Sequence, residues 1–257
     1  MTPGPEAALV LAGAFAAGAV NSTVGGGGLI QLPALMAAYP QASPPVLLGT
    51  NKLASLVGTA SAVLRYSRHL AIPWRAVLPA AALAFAASLG GAATVRLLPP
   101  EMFRPLVPVL LAALLAWVVW QRDLGAVHAP RRFEAGPLVL GGMLFAALGF
   151  FDGFFGPGVG SFLLLVFVRL YGYDYLHAAA SARVVNLASN AAAVLYFGYH
   201  GHVSWVLGTA MAAGNLLGAQ AGTLLALRYG SRLIRSAFIV VVCILIVKTG
   251  RDAWFGV

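Results

Sequence analysis

Lys52 and Arg183 are the two cationic residues that lie inside hydrophobic stretches of the sequence and not in polar loops. Each lies about seven or eight residues inside its stretch. An ionised side chain near the centre of a membrane helix costs about 2.5–3.5 kcal/mol, so two of them suggest a common purpose. Paired positive charges could line a site for a small anion. Alternatively, both side chains could reach an interface or neutralise a buried acid.

Two asparagines lie within one helical turn of these cations: Asn51 precedes Lys52, and Asn186 follows Arg183. Their amide groups could hydrogen-bond the oxygens of an oxyanion and are included in the predicted substrate site. Taken singly, a buried asparagine is more often a link between membrane helices, and this alternative stays open.

Asp152 is the one acidic residue in the middle of an apolar stretch, and Asn21 has a similar place in the first half of the chain. Asp152 could pair with Arg183 or Lys52 and set the charge of the site. It could also carry a proton in coupled transport, because burial favours the protonated form of a carboxyl group. As a third alternative, Asn21 and Asp152 could both cap a helix or hold a helical hairpin together.

Glycine-rich runs interrupt two hydrophobic stretches, at residues 25–28 and 156–160. Glycine and proline cannot hold a lipid-facing helix together, so the sequence predicts broken helices or re-entrant hairpins there. A helix that restarts after such a break presents free N–H groups and a positive dipole end, which favours anion binding. Gly26, Gly27 and Gly158 are therefore placed in the predicted substrate site. Close helix packing through small residues is the alternative.

The composition predicts a polytopic α-helical membrane protein. Of the 257 residues, 60% are hydrophobic and 9% are charged, which is far too few charges for the surface of a soluble domain. The same figures exclude a disordered chain, and a single cysteine excludes a disulfide scaffold. The net charge of +9 comes from arginines placed between apolar blocks, which indicates membrane topology and no nucleic-acid partner.

The two halves of the chain resemble each other at a constant offset of 131 residues. Rare residue types match at this offset, namely the pairs His69 and His200, Trp74 and Trp205, Gly91 and Gly222, and Arg104 and Arg235. Lys52 matches Arg183, and Asn21 matches Asp152. We therefore predict an all-α fold of two homologous transmembrane repeats, residues 1–121 and 136–257, joined by a polar linker at 122–135. Internal repeats are common in secondary transporters, which bind substrate where the repeats meet.

Each repeat contains four hydrophobic blocks, which gives about eight membrane segments, the first of each repeat broken by glycine. If the broken block is re-entrant, ten loop cations lie on one side of the membrane and four on the other; if it crosses once, the split is eight to six. The positive-inside rule prefers the sharper contrast and predicts inverted repeats with a cytoplasmic linker. Parallel repeats remain the alternative.

Motifs for enzymatic chemistry are missing from the sequence. It contains no His-Glu-x-x-His or Cys-x-x-Cys metal pattern, no Gly-x-Ser-x-Gly nucleophile elbow and no nucleotide-binding motif. We therefore expect a protein that is not an enzyme, with no cofactor, no metal and no ATP motor of its own.

Two stretches carry a family resemblance. The first half contains Gly18-Ala-Val-Asn21-Ser-Thr-Val-Gly25-Gly-Gly-Gly28 and then Gly49-Thr-Asn51-Lys52. The second half contains Gly149-Phe-Phe-Asp152-Gly-Phe-Phe-Gly156-Pro-Gly158-Val-Gly160 and then Ala182-Arg183-Val-Val-Asn186. Over residues 8–250 the sequence resembles the sulfite exporter TauE/SafE family, also called the toluene-sulfonate uptake permease family.

The resemblance implies a multi-pass protein of the bacterial inner membrane with seven or eight spans. It further implies a small sulfur anion as substrate: sulfite, sulfoacetate or another organosulfonate, or thiosulfate. We expect an exporter that binds this anion between Lys52 and Arg183 and works by alternating access of its two halves. A coupling proton or sodium ion and a homo-oligomer are compatible with the sequence. Transport of another small anion such as a carboxylate, or a non-transporting membrane subunit, is the alternative.

Overall fold

The computed structural model describes residues 7–23, 26–97 and 135–229, and the separate positions 109, 112, 113 and 116. The predicted last hydrophobic block of each half, most of the predicted linker, Gly25 and Arg104 lie outside these ranges. The described parts contain helices and no β-strand, which confirms the predicted all-α class. In chain order the helices are α1 Ala7–Thr23, α2 Gly28–Ala38, α3 Pro44–Ser67, α4 Trp74–Thr94 with the 3-10 turn Val95–Leu97, α5 Ala135–Phe154, α6 Val159–Arg169, α7 Tyr175–Tyr199 and α8 Trp205–Tyr229.

Local sequence signals place the starts of the two long central helices. α3 begins with two prolines after Ser43, which has extended backbone angles, and proline is favoured in the first turn because it needs no N–H partner there. α7 begins after Asp174, whose Oδ1 accepts a hydrogen bond of 2.9 Å from the backbone N–H of His177. Gly172 has a φ of +73°, which lets the chain turn sharply from α6 into this cap.

Both glycine runs break the helix, as predicted, and the chain folds back on itself at each one. α1 ends at Thr23, α2 begins at Gly28, and Gly27 packs on the backbone of Ala17. Gly13, in the first half of α1, lies against Ala34 near the end of α2, so the two helices run antiparallel. In the second half Gly141 of α5 lies against Tyr171, just after α6. The first hydrophobic block of each half is therefore a helical hairpin.

The protein has an apolar outside and a polar centre. Leucines at positions such as 64, 78, 195 and 217 are more than half exposed, while Lys52, Asp152 and Arg183 are buried. Helix α3 (Pro44–Ser67) and α4 with its 3-10 turn (Trp74–Leu97) are long and apolar enough to cross a membrane. An apolar outside around buried charges is the arrangement that lipid favours, because hydrocarbon cannot solvate a charged group.

The helices form two bundles that each combine the two halves of the sequence. The first bundle contains α1, α2, α3 and α8, and the second contains α4, α5, α6 and α7. Helices α4 and α8 are therefore exchanged between the halves, and α3 contacts α7 where the bundles meet. The bundles are therefore not the two sequence halves, and the repeats predicted at residues 1–121 and 136–257 stay predictions.

Glycines bring the exchanged helices into backbone contact. Gly18 of α1 packs on the backbone of Asn215 in α8, and Gly149 of α5 packs on the backbone of Ala84 in α4. A Cβ at either glycine would collide with the neighbouring backbone. Gly149 follows Gly18 by 131 residues, and Asn215 follows Ala84 by 131 residues, so the two contacts are related by the predicted offset. The duplication and its inverted orientation stay predictions.

Candidate functional site

A buried ion pair joins the two bundles at the centre of the protein. Lys52 of α3 places its Nζ 2.6 Å from Oδ1 of Asp152 in α5, and the two side chains are 2% and 1% exposed. Gly156 makes room for this ammonium group, since a Cβ at that position would lie 2.5 Å from Lys52 Nζ. The φ of +93° at Gly156 also requires glycine.

The second oxygen of the Asp152 carboxylate is held by helix α7. Asn186 Nδ2 donates to Asp152 Oδ2 at 3.1 Å, and Ser189 Oγ donates to the same oxygen. Together with Lys52, three donors therefore surround one carboxylate. These three contacts favour the predicted pairing of Asp152 with Lys52, and with it a charge-setting role over that of a proton carrier.

Arg183 is fully buried but has weaker partners than Lys52. Its Nη1 donates to Asn21 Oδ1 at 3.1 Å, and its Nη2 approaches the carbonyl oxygen of Gly160 at 3.5 Å. Its Nε has no hydrogen-bond partner within the described residues. No carboxylate in residues 7–23, 26–97 and 135–229 forms an ion pair with this guanidinium group. An arginine remains charged in proteins, so a full positive charge is buried here without an acid in contact.

The two cations and their partners are related by the sequence offset. Lys52 contacts Asp152, and Arg183 contacts Asn21, so the same two positions of each half form the same contact. Both contacts run from the first bundle to the second. The difference is chemical, because an aspartate in one contact is replaced by an asparagine in the other.

A small cavity of about 20 Å³ lies between these groups. Its walls come from both bundles and are polar or glycine at every position: Asn21, Gly28, Asn51, Lys52, Ser55, Gly156, Gly158, Gly160, Asn186 and Asn190. A cavity of this size holds about one water molecule, so a sulfur oxyanion requires a more open conformation. Arg183 lies behind the wall, and both of its hydrogen-bond partners line the cavity.

The two glycine runs meet beside this cavity. A Cβ on Gly28 would lie 3.0 Å from Pro157 Cα, so the start of α2 touches the run that precedes α6. Gly158 has a φ of +86° and directly precedes α6. The N-termini of α2 and α6 therefore both point towards the cavity, where their partial positive charge favours an anion.

A chain of amide groups supports Asn51 from the first bundle. Asn215 Nδ2 of α8 donates to Gln31 Oε1 at 2.7 Å, and Gln31 Nε2 donates to the Asn51 carbonyl oxygen at 3.2 Å. The Asn51 side-chain oxygen is buried and has no partner within the described residues, although Asn51 lines the cavity. This chain positions α2, α3 and α8 against one another beside the site.

Most of the residues in the predicted site lie together at the centre. Asn21, Asn51, Lys52, Gly158 and Asn186 line the cavity, and Asp152 and Arg183 contact residues that line it. The structure places two predicted residues differently: Gly26 and Gly27 are buried, Gly27 packs against α1, and the next glycine forms the cavity wall.

Sequence reasoning did not assign Ser55, Ser189 and Asn190 to the site. Ser189 and Asn190 follow Asn186 by three and four residues, and Ser55 follows Asn51 by four. These spacings place the side chains on one face of a helix, so helical periodicity applied to the first asparagines could have found them. No cluster of three metal-binding side chains occurs in the described residues.

Comparisons with known proteins extend over almost the whole chain. The sequence matches the family described as sulfite exporter TauE/SafE over residues 10–249. The probable membrane transporter protein ORF9 of a Sinorhizobium species is 36% identical over 246 residues, which cover 95% of this chain and 92% of that protein.

Two further relatives carry similar descriptions. The probable membrane transporter protein YfcA of Escherichia coli K12 is 36% identical over 242 residues, which cover 93% of this chain and 88% of that protein. A probable membrane transporter protein of Haemophilus influenzae is 34% identical over 243 residues, which cover 94% and 93% of the two chains. No solved structure matches the chain.

Proposed function

The chain belongs to the sulfite exporter TauE/SafE family of membrane transporters, and from this premise we propose that it exports a small sulfur oxyanion as a secondary transporter. Sulfite, sulfoacetate or another organosulfonate, and thiosulfate are the substrates proposed from the family resemblance. The proposed location is the inner membrane of a bacterium, crossed several times by the chain. The proposed site is the central cavity beside Lys52 and Arg183.

The buried guanidinium group of Arg183 is the observation that carries this proposal. A charge of this kind in a low-dielectric interior is costly unless an opposite charge compensates it. Asp152 is paired with Lys52, and Asn21 is neutral, so no acid among the described residues forms an ion pair with Arg183. A bound anion would supply the missing charge.

The groups around the cavity could hold such an anion from several directions. Lys52 has three N–H donors and uses one for Asp152, which leaves donors for a ligand on the cavity side. The Arg183 contact to Gly160 is long, so this donor could turn to a stronger acceptor. The N-termini of α2 and α6 add partial positive charge.

We place the alternating movement between the two bundles and not between the two sequence halves. Each hydrophobic cluster belongs mainly to one bundle, although Ala193 and Phe197 of α7 also pack into the cluster of the first. Each bundle also has internal hydrogen bonds, such as Gln220 to Ser61 in the first and Ser88 to Ser189 in the second. The contacts of Lys52 with Asp152 and of Arg183 with Asn21 cross between the bundles. An anion that competes for these donors would loosen the contact and widen the cavity.

Exchange assays in liposomes test this proposal. Purified protein is reconstituted into vesicles loaded with unlabelled sulfite, sulfoacetate or methanesulfonate, and entry of radiolabelled sulfite is measured. We expect entry that is stimulated by the sulfur anions inside and missing from protein-free vesicles. Stimulation by acetate or succinate in place of every sulfur anion would contradict the proposed substrate class, and no exchange with any anion would contradict transport.

A further inference from the structure

We propose that the central site takes a singly charged anion and rejects doubly charged ones of the same size and shape. This inference rests on the proposed function, because it names the charge class of the substrate. The charged side chains buried in the described part of the chain are Lys52, Asp152 and Arg183. Two positive charges and one negative charge leave the site with an excess of one positive charge.

The contacts show where this excess lies. Asp152 is in direct contact with Lys52, so their charges largely cancel at the position of a bound ligand. Arg183 contacts an amide and a backbone carbonyl group, which are both neutral, so its positive charge has no direct counter-charge among the described residues. One negative charge on the ligand therefore makes the closed site neutral.

A second negative charge would have no partner in the closed site. Coulomb interactions in a low-dielectric interior are several times stronger than in water, so an excess charge of either sign opposes closure. With a dianion bound, the site would have an excess of one negative charge. Without a ligand, it has an excess of one positive charge. Hydrogen sulfite and monosulfonates such as methanesulfonate fit this charge balance, whereas sulfate, doubly ionised sulfite, thiosulfate and the doubly charged sulfoacetate do not. Thiosulfate and sulfoacetate, which the family resemblance implies as substrates, are therefore expected to bind more weakly than the monoanions.

The residues at positions 21 and 152 determine the net charge of the site. They form the same contact with Arg183 and Lys52 respectively, and the chain has one amide and one carboxylate at these two places. Two amides would give the site two positive charges, and two carboxylates would make it neutral without any ligand. Asp152→Asn therefore changes the charge and installs the residue type that the other half already uses.

The cavity wall also limits the size of the ligand. Glycines at positions 28, 156, 158 and 160 form part of the wall, and they allow an oxyanion to approach the backbone closely. The remaining wall residues are short polar side chains and Lys52. A compact sulfonate or hydrogen sulfite group fits such a wall better than a large organic anion.

Binding of a matched pair of anions tests this inference. Methanesulfonate and sulfate are both tetrahedral and differ by one charge, because a methyl group replaces one oxygen. We expect the purified full-length protein to bind methanesulfonate at least about tenfold more tightly than sulfate in calorimetric titrations, a free-energy difference of about 1.4 kcal/mol. Hydrogen sulfite, titrated at mildly acidic pH, is expected to bind as the methyl compound does.

The Asp152→Asn variant tests whether the net charge of the site determines this preference. We expect the preference for methanesulfonate over sulfate to fall by at least about tenfold in this variant, since its site carries two positive charges. Equal or tighter binding of sulfate by the unaltered protein would overturn the inference and leave the proposed function standing. Binding of neither anion, and of no hydrogen sulfite, would contradict the proposed function itself. The comparison on the unaltered protein decides the inference even if the variant does not fold.

Discussion

Lys52 Nζ and Asp152 Oδ1 lie 2.6 Å apart in the buried centre of the protein and connect α3 of one helix bundle with α5 of the other. The pair joins residues that are 100 positions apart in the chain. Because Asp152 contacts Lys52, the two buried cations differ: within the described residues Lys52 has an acid as ion-pair partner and Arg183 has none. Variants of the two cations are therefore expected to differ in stability.

Arg183→Gln is expected to stop transport without unfolding the protein. Loss of a buried charged partner of a ligand costs about 2–5 kcal/mol, so we expect sulfite exchange to fall by at least about 100-fold. The melting temperature in detergent should stay the same or rise, because an uncompensated charge is removed. Arg65→Gln is the matched control, since Arg65 Nε donates to Gln220 away from the cavity, and it should retain exchange. A large fall in melting temperature for Arg183→Gln would indicate a structural arginine.

Lys52→Met is expected to destabilise the protein strongly. The substitution leaves the Asp152 carboxylate buried without its cation, which costs about 3–5 kcal/mol in stability. The double variant Lys52→Met with Asp152→Asn should recover most of this loss, while exchange stays low. Denaturant unfolding monitored by tryptophan fluorescence measures both effects. Additive destabilisation in the double variant would show that the two side chains are not energetically coupled.

Asn21→Asp is expected to raise stability and abolish transport together. The new carboxylate would lie beside Arg183 and compensate its buried charge, which should increase the free energy of unfolding by about 1–3 kcal/mol. The site would then be neutral without a ligand, and methanesulfonate binding should be lost. Thermal unfolding and calorimetric titration of the same sample check both results. Unchanged binding in a stabilised variant would argue against compensation of Arg183 by the substrate.

A disulfide between the two bundles is expected to lock the transporter. A Cβ at Gly28 would lie 3.3 Å from Pro157 Cβ, so Gly28→Cys with Pro157→Cys is within reach of a disulfide. Oxidation should stop exchange, and reduction should restore it, in a background where Cys243 is replaced by serine.

Gly13→Cys with Ala34→Cys is the control for this lock, because both positions belong to the first bundle and a Cβ at Gly13 would lie 3.1 Å from Ala34 Cβ. This second disulfide should leave exchange unchanged. Inhibition by both disulfides would place the movement inside the first bundle.

Transport of the monoanion is expected to carry one negative charge across the membrane in each cycle. Asp152 is paired with Lys52 and held by Asn186 and Ser189, so we expect no proton to move with the substrate. A membrane potential of about 100 mV, inside negative, corresponds to about 2.3 kcal/mol for one charge and should exclude methanesulfonate from vesicles by about 50-fold. A potassium gradient with valinomycin sets this potential. If methanesulfonate accumulates in response to a pH gradient and not to the membrane potential, Asp152 would be the residue that carries a coupled proton.

Several features of this protein could be predicted from the sequence because they depend on local composition. The first hydrophobic block of each half is a helical hairpin, and its break falls at the glycine run because glycine and proline cannot continue a helix there. The burial of Lys52 and Arg183 also followed from their apolar neighbours. The family followed from the motifs around these same residues.

The pairing of the buried charges and the exchange of α4 and α8 required the tertiary structure. The sequence left open whether Asp152 pairs with Lys52 or Arg183, because both are cations at matching positions and neither is near it in the chain. The contact of α3 with α7 decides it, together with the packing of α5 against α7 and of α1 against α3, since this arrangement brings Asp152 to Lys52 and Asn21 to Arg183. Local composition therefore determines which groups are buried, and the packing of distant helices determines which of them share a contact and which charge remains for a ligand.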